Sequence, residues 1–257
     1  MLDLTKNQEL KKRYEQIFSG QPQSFFTFST FDESVTIYQM YPWDGKRVLE
    51  IGCGEGHLAN LLALAAATVT AIDYAAAAIN ACNERYHNIP NLKFVNCSFE
   101  EVNEHYDVVV MQGVLEHMDD PLSVLRFIKS NLLVEGGEII TSSPSFLNTR
   151  GYIWMALQYL FDIPMSLTDI HFLCPFDFED FAKELGMKVR FITIEQDWAC
   201  GQKLIQDFKK RLPNACRDKG IEANVDRFID WLEKAIRYPL ISDWSGAVAI
   251  YHFFQDT

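Results

Sequence analysis

The chain has 257 residues, enough for one or two domains at the usual size of about 150 residues each. Its 23 Lys and Arg residues against 35 Asp and Glu residues leave a formal net charge of −12. This charge argues against unspecific binding to nucleic acid or to an anionic membrane surface, because both favour clustered positive charge. Hydrophobic residues make up 48% of the chain, which suffices for a packed core and excludes global disorder.

The sequence shows no segment suited to entering a membrane. The longest stretch rich in Ala and Leu, residues 61–72, contains threonines, stops at Asp73 and is too short to span a bilayer. Residues 1–6 lack the cationic region followed by an apolar region that marks a signal peptide. We therefore expect no membrane insertion and a cytoplasmic location.

The six cysteines are scattered, and no two of them form a C-x-x-C pair. We interpret them as reduced thiols, with a disulfide framework or a zinc site as the alternatives. Asp169, His171 and Cys174 lie close in sequence, but no second cluster of metal-binding residues accompanies them. No metal is expected.

Residues 1–42 are predicted to form a helical cap. Charged and apolar residues alternate at helical spacing over residues 3–19, and Gly20 and Pro22 end that helix. An aromatic segment follows at residues 25–31, and a second helix is predicted near residues 32–41.

From Lys46 onward, predicted strands and helices alternate. Five strands are predicted, over residues 47–51, 68–72, 92–96, 107–111 and 138–142. Helices are predicted over residues 57–66, 75–86 and 122–132, and Gly136-Gly137 is interpreted as a turn. This alternation implies right-handed crossovers and a parallel sheet that is covered on both faces.

Residues 144–176 interrupt the alternation with many aromatic side chains where a bare sheet would need only a short link. Insertions at the carboxyl ends of parallel strands build ligand sites, so we interpret this segment as an acceptor-site insertion. A helical hairpin that merely covers the sheet is the alternative.

The C-terminal part, residues 177–257, is predicted to add two strands to the sheet. A helix over residues 177–185, capped by Gly186, precedes a strand at residues 187–194, and the last strand covers residues 247–254. The amphipathic helical stretch between these strands, residues 202–237, is expected to provide packing or a dimer surface.

The strongest chemical signal is the run Glu50-Ile51-Gly52-Cys53-Gly54-Glu55-Gly56, which joins a strand to a helix. Glycines in such a turn let the backbone approach a ligand. The nicotinamide fingerprint needs a glycine at position 57, where His57 stands, and Glu50 would repel a pyrophosphate. Glu50 instead suits a cationic ligand such as an ammonium or a sulfonium, so the pattern disfavours NAD.

Polar residues also follow the second and third predicted strands. Asp73 can accept hydrogen bonds from both ribose hydroxyls of a nucleoside, although capping of the next helix is the alternative interpretation. Tyr74 is placed to pack against an adenine, and Ser98-Phe99 to meet its edge.

These motifs together resemble the class I S-adenosylmethionine-dependent methyltransferases. The segments that carry the resemblance, within about residues 43–196, are Glu50–Gly56, Asp73, Ser98-Phe99, Tyr106–Met111, Leu115–Pro121 and Leu132–Ser142. The insertion, with His171 shortly before Pro175, is loosely similar to the small-molecule subgroup around ubiquinone-biosynthesis O-methyltransferases. Ser98 stands where many relatives have aspartate, and Gln112-Gly113 where the subgroup often has Glu-Met.

The resemblance implies one Rossmann-like α/β domain over residues 1–257, with a doubly wound, mostly parallel seven-stranded sheet and an antiparallel last strand. Residues 1–42 would form an N-terminal helical lid and residues 43–143 the cofactor-binding core. Residues 144–176 would line the acceptor site, and residues 177–257 would complete the sheet.

The resemblance also implies the cofactor and the residues that hold it. The methionine part of S-adenosylmethionine would contact Glu50, Gly52, Gly54 and the backbone of Cys53. The adenosine would contact Asp73 through its ribose and Tyr74, Ser98 and Phe99 through its adenine. Gln112 would line the floor of the cofactor site near the sulfur, and Gly56 would allow the helix and the strand to pack closely. The product would be S-adenosylhomocysteine.

Methyl transfer from a sulfonium is an in-line displacement, for which the protein supplies alignment, desolvation and, where needed, removal of a proton. An oxygen nucleophile gains from a base that titrates near neutral pH, and histidine is the usual choice. Of the six histidines, His117 follows the fourth strand close to the cofactor, and His171 lies in the insertion as base or substrate orienter.

The predicted function is therefore methylation of a small-molecule acceptor in biosynthesis, with O-methylation favoured. N- or C-methylation and a non-methylating displacement such as cyclisation are alternatives, followed by tRNA modification and by a catalytically silent scaffold. The expected partner is the acceptor, a second copy of the chain is a candidate partner, and no nucleic acid is expected.

Overall fold

The computed structural model describes residues 31–163 and 169–255. Its strands are β1 (Arg47–Ile51), β2 (Thr68–Asp73), β3 (Leu92–Asn96), β4 (Tyr106–Gln112), β5 (Leu133–Pro144), β6 (Lys188–Ile194) and β7 (Val248–Phe254). They form one seven-stranded sheet in the order β3-β2-β1-β4-β5-β7-β6. The first five strands pair in parallel, and β7 runs antiparallel to both β5 and β6. The predicted sheet is confirmed.

Helices cover both faces of this sheet. They are α1 (Phe31–Gln39), α2 (His57–Leu62), α3 (Ala76–Tyr86), α4 (Pro121–Asn131), α5 (Thr149–Phe161), α6 (Pro175–Leu185), α7 (Gln196–Cys200), α8 (Gln202–Asp218) and α9 (Val225–Ala235). Short 3-10 turns lie at Phe99–Glu101 and Leu115–His117.

Strand β4 shows why the sheet is buried on both sides. Successive side chains of a strand point to opposite faces. Val109 and Met111 pack with Phe178 of α6, whereas Val108 and Val110 pack with Leu58 of α2. An unbroken apolar run is what a central parallel strand needs, because each face meets a helical layer.

Two predicted boundaries were wrong. Helix α2 ends at Leu62 and not at Ala66, because residues 64 and 65 bond back by three residues and so leave the α-helical pattern. Gly136-Gly137 is not a turn before the fifth strand but lies within β5. The β4–β5 pairing jumps from Tyr106–Leu133 to Val108–Glu138 at this point, and Gly136 has a φ of 73°. The glycine therefore permits a bulge inside the strand.

The predicted helical stretch over residues 202–237 is two main helices, α8 and α9, separated by a turn at Gly220. These helices share a hydrophobic cluster with the insertion, in which Trp154 of α5 stacks on Phe208 of α8 at 5.2 Å between ring centroids. Below the rings, Asp207 accepts a hydrogen bond from Arg150 at 2.9 Å. The insertion and the C-terminal helices thus form one packed layer, as the packing interpretation of residues 202–237 predicted.

Helix α1 agrees with the helix predicted near residues 32–41. The other predicted cap features, the helix over residues 3–19 and most of the aromatic segment at 25–31, lie outside the described residues. Within the described ranges, none of the helices combines the length and apolarity that crossing a bilayer requires. All six cysteines are free thiols.

Candidate active site

The predicted cofactor residues meet at the carboxyl ends of the central strands. After β1 the chain builds β2 and β3 outward, and it then returns to place β4 on the other side of β1. The strand order therefore reverses next to the turn Gly52–Gly56. Such a switch point opens a crevice at the carboxyl edge of an α/β sheet, where ligands bind.

The backbone N–H groups of the turn donate to protein oxygens. Gly52 and Cys53 both donate to the carbonyl of Ile72, at 2.8 and 3.0 Å, and Gly56 donates to the carbonyl of Cys53 at 2.8 Å. An anion-binding nest needs such groups pointing outward at the ligand. The arrangement supports the prediction that the turn does not cradle a diphosphate.

Glycine is required sterically at both ends of the turn. Gly52 has a φ of 74°, and a Cβ there would lie 2.7 Å from Cγ2 of Val114. Gly56 also has a φ of 74°, and its Cβ would lie 2.9 Å from the ring of Phe94 on β3. Gly56 therefore lets the turn pack onto its neighbours, in agreement with the packing role inferred for it.

Glu50 lies beneath the turn and is only 2% exposed. Burial raises the pKa of its carboxyl well above the usual value, the neighbouring Cys82 and Asp73 add to this rise, and a hydrogen bond with the backbone of Ala59 opposes it. Its Oε2 atom has no hydrogen-bond partner among the described residues. An orphaned buried carboxyl oxygen fits a ligand that brings an N–H donor or a positive charge.

Asp73 joins the end of β2 to the same turn. Its Oδ2 accepts from the Gly54 N–H at 3.0 Å and its Oδ1 from the Ala75 N–H at 2.8 Å, ahead of α3. The capping interpretation is thus part of its role. Ribose binding by this carboxylate remains a prediction, in keeping with the acidic residue that holds the ribose in dinucleotide-binding folds.

The residues predicted to surround adenine lie along the neighbouring strand ends. Tyr74 directly follows β2 and is partly buried. Ser98 follows β3 and donates its backbone N–H to the carboxylate of Glu101 at 2.8 Å. Phe99 packs edge-on against Phe127 of α4, with 5.4 Å between ring centroids. These side chains share the edge of the sheet with Asp73.

Gln112 ends β4 on the other side of β1, and helix α1 lies over it. The hydroxyl of Ser34 donates to Oε1 of Gln112 at 2.8 Å. The adjacent Glu33 is buried beside Gln112 and Ser142 of β5, and burial raises the pKa of its carboxyl to about 6 while the nearby polar side chains of these two residues oppose the rise. Sequence reasoning missed Glu33 and Ser34.

Glu116 is a second buried acid that sequence reasoning did not single out. The Ser143 hydroxyl donates to its Oε2 at 3.0 Å. Burial and the charge of Asp169 raise the pKa of Glu116 to about 8. Its backbone carbonyl accepts the N–H groups of Ile170 and His171, at 2.9 and 3.1 Å, and so ties the insertion to the loop after β4.

The two candidate catalytic histidines lie at this junction. His117 Nδ1 is 3.4 Å from Oδ1 of Asp169, and both side chains are partly buried. His171 Nε2 lies 3.2 Å from the backbone carbonyl of Asp119. The structure therefore brings both histidines to the loop that follows β4, one from the loop itself and one from the insertion.

The missed residues differ in the signal they offered. Glu116 stood inside the Leu115–Pro121 segment that carries the family resemblance, and Asp169 stood next to a candidate histidine. Glu33 and Ser34 belong to a helix without a recognisable motif, so only the fold reveals their position. No group of three or more His, Cys, Asp or Glu side chains suited to a metal occurs in the described parts of the chain.

The fold is Rossmann-like, and the predicted cofactor residues lie together in the crevice at its switch point. Residues 43–166 match the family model described as a methyltransferase domain. This segment is therefore similar to methyltransferase domains, and the predicted resemblance to the S-adenosylmethionine-dependent family is confirmed.

Curated relatives include the ubiquinone biosynthesis O-methyltransferases. That of Escherichia fergusonii is 32% identical over 162 residues, which cover 58% of this chain and 65% of that protein. That of Acinetobacter baylyi is 28% identical over 159 residues, covering 58% and 66%. The chain thus spans just under two thirds of the length of these relatives.

Solved structures share the fold at low sequence identity. A chain in the complex of the Haloferax volcanii Trm112 methyltransferase activator with a putative methyltransferase has a TM-score of 0.61 at 12% identity, with 97% of each chain covered. The fold therefore extends well beyond the matched family domain.

Proposed function

We propose that this protein transfers the methyl group of S-adenosylmethionine to a small-molecule acceptor, with an acceptor oxygen as the favoured target. The observation that carries the proposal is the orphaned Oε2 of Glu50 next to the turn that Asp73 braces. A buried carboxyl oxygen without a partner among the described residues matches the cationic amino-acid end of this cofactor. The carboxylate of Asp73, at the end of the neighbouring strand, matches its ribose.

When bound, the cofactor supplies a methyl group that its sulfonium already activates. The residues of the chain bind and orient it: Glu50 and the turn hold the methionine part, Asp73 the ribose, and Tyr74, Ser98 and Phe99 the adenine. Glu50 is buried and Gln112 is half-buried, and the exclusion of water around them strengthens each electrostatic contact.

The acceptor would lie beyond Gln112, between the loop after β4 and the insertion. His117, backed by Asp169, and His171, held by the carbonyl of Asp119, are the proposed orienting groups for its reactive oxygen. Alignment of this oxygen with the transferable methyl group is the main contribution such a site makes to the rate.

O-methylation is favoured because the curated relatives named above are O-methyltransferases. N- or C-methylation uses the same cofactor site. Cyclisation without methyl transfer is a further candidate, since the [4+2]-cyclase SpnF aligns with 98% of this chain at a TM-score of 0.59 and 14% identity. The net charge of −12 disfavours a tRNA acceptor.

Calorimetric titration with S-adenosylhomocysteine tests the cofactor part of the proposal, with NAD as the matched control ligand. We expect heat only with the first. Incubation with S-adenosylmethionine and a panel of phenols, alcohols and amines then tests the reaction by mass spectrometry, through products heavier by about 14 Da (the mass of one CH₂). Absence of heat with S-adenosylhomocysteine would support a silent scaffold instead.

A further inference from the structure

Helix α1 places one carboxyl group against the edge of the sheet where the acceptor would meet the methyl group. Ser34 anchors the helix there through its bond to Gln112. Gln112 and Ser142 are paired across β4 and β5, and the Glu33 carboxyl lies beside both side chains. Glu33 therefore lies next to the carboxyl ends of two neighbouring strands of the sheet.

The surroundings of Glu33 favour the protonated form of its carboxyl. Burial raises the pKa of the Glu33 carboxyl to about 6, and the charge of Glu195, before α7, adds to this rise. Glu116, after β4, is the other acidic group coupled to Glu33 among the described residues, and its own pKa of about 8 leaves it neutral where Glu33 titrates. The Glu33 carboxyl is ionised near neutral pH but is a stronger base than an exposed glutamate, and this balance suits general base catalysis.

The histidines are less well placed for the same task. Gln112 is the residue proposed to lie near the sulfur, and Glu33 adjoins it directly. His117 lies five positions further along the chain, with Nδ1 directed to Asp169, and His171 directs Nε2 to a backbone carbonyl. Both fit the orientation of an acceptor better than removal of its proton.

We propose that Glu33 is the general base of the reaction, a catalytic residue that takes the proton of the acceptor hydroxyl as the methyl group arrives. This inference rests on the proposed function. The acceptor oxygen forms a bond to the methyl carbon, the carbon–sulfur bond breaks, and its electron pair remains on sulfur as a neutral thioether. The hydroxyl proton moves to the Glu33 carboxylate, so one positive and one negative charge disappear together.

The test compares the full-length wild-type chain with E33Q on two phenols. One is an ordinary phenol, and the other is a nitro-substituted phenol that is already ionised at the assay pH. Glutamine keeps the shape of the side chain but cannot accept the proton. The control variant is E135Q, whose exposed carboxyl lies near the amino end of β5, far along the strand from the site.

We expect E33Q to lower kcat for the ordinary phenol by about 10²- to 10⁴-fold, the usual contribution of a general base. Its activity should recover with the nitrophenol and as pH approaches the pKa of the ordinary phenol, about 10. The wild-type profile should lose activity as pH falls through about 6, the pKa of Glu33. The affinity of E33Q for S-adenosylhomocysteine and its melting temperature should stay close to those of E135Q.

Equal kcat values and pH profiles for wild type and E33Q would overturn the assignment of Glu33 as the base and leave the proposed function standing. An equal loss on both phenols would assign Glu33 a merely structural part and also overturn it. Absence of turnover by the wild-type chain with every acceptor of the panel would overturn the proposed function, and this inference with it.

Discussion

Asp73 at the end of β2 holds the Gly54 N–H at 3.0 Å, and through this bond the second strand fixes the shape of the turn that follows the first. The same carboxylate is proposed to hold the ribose. One side chain thus shapes the turn and is also the proposed ligand contact, so its removal should affect both the fold of the turn and the affinity.

Replacement of Asp73 by alanine should weaken binding of S-adenosylhomocysteine by about 1–3 kcal/mol, because charged hydrogen bonds to the ribose are lost. Calorimetric titration measures this change. The control is Asp230→Asn, an exposed position on α9. Unchanged affinity in Asp73→Ala would remove Asp73 from the cofactor site.

Replacement of Glu50 by glutamine should have opposite effects on stability and binding. The native carboxyl is buried with one oxygen unpaired, and burial disfavours its charged form, so a neutral isostere should raise the melting temperature of the ligand-free protein above pH 7. The affinity for S-adenosylmethionine should fall. Scanning calorimetry and titration test the two effects, and a tighter-binding Glu50→Gln variant would contradict the cationic-ligand interpretation.

Glu116 should make the stability of the protein fall as pH rises. The pKa of its carboxyl is about 8 in the folded chain against an ordinary 4.5, so the folded state holds a proton that the unfolded state has released. Stability is then lost progressively between these two values. From about pH 6.5 to about pH 9, a range chosen above the pKa of Glu33, the melting temperature of Glu116→Gln should fall less than that of wild type. Parallel curves would show that Glu116 titrates normally.

Replacement of Gly56 by alanine should destabilise the fold more than the same change at Gly220. Both glycines have a positive φ, of 74° and 66°, but only at Gly56 would the new Cβ meet a neighbour, the ring of Phe94. The strain common to both is about 1 kcal/mol, and the overlap should add about 1–3 kcal/mol at Gly56 alone. Urea denaturation of the two variants measures the difference. Equal losses of stability in the two variants would mean that the Phe94 ring moves aside at no cost in free energy.

The sheet was predictable because the composition of its central strands reflects their burial on both faces. The run Val108–Met111 is apolar at every position, and only a central strand between two helical layers requires that. The bulge at Gly136 was not predictable in the same way. A glycine pair after a helix reads as a turn, and only the pairing of Leu133 with Tyr106 shows that the strand had already begun.

The mutual arrangement of Glu50, the glycine turn and Asp73 was predictable for a different reason. Glu50, the glycine turn and Asp73 lie at successive strand ends, so local sequence fixes their relation once the sheet is known. Glu33 lies on a separate helix, 79 positions before Gln112, and only tertiary packing brings the two residues together. The hydrogen bond from Ser34 to Gln112, across 78 positions, shows this packing. No local pattern records such a contact.

The main-chain bonds from residues 170 and 171 to the carbonyl of Glu116 have a consequence for how this protein can diversify. Because these two bonds join backbone atoms, they can persist when the side chains at residues 170 and 171 change. Evolution, or an engineer, can therefore exchange the chemistry that faces the acceptor while the distance to the donor stays the same.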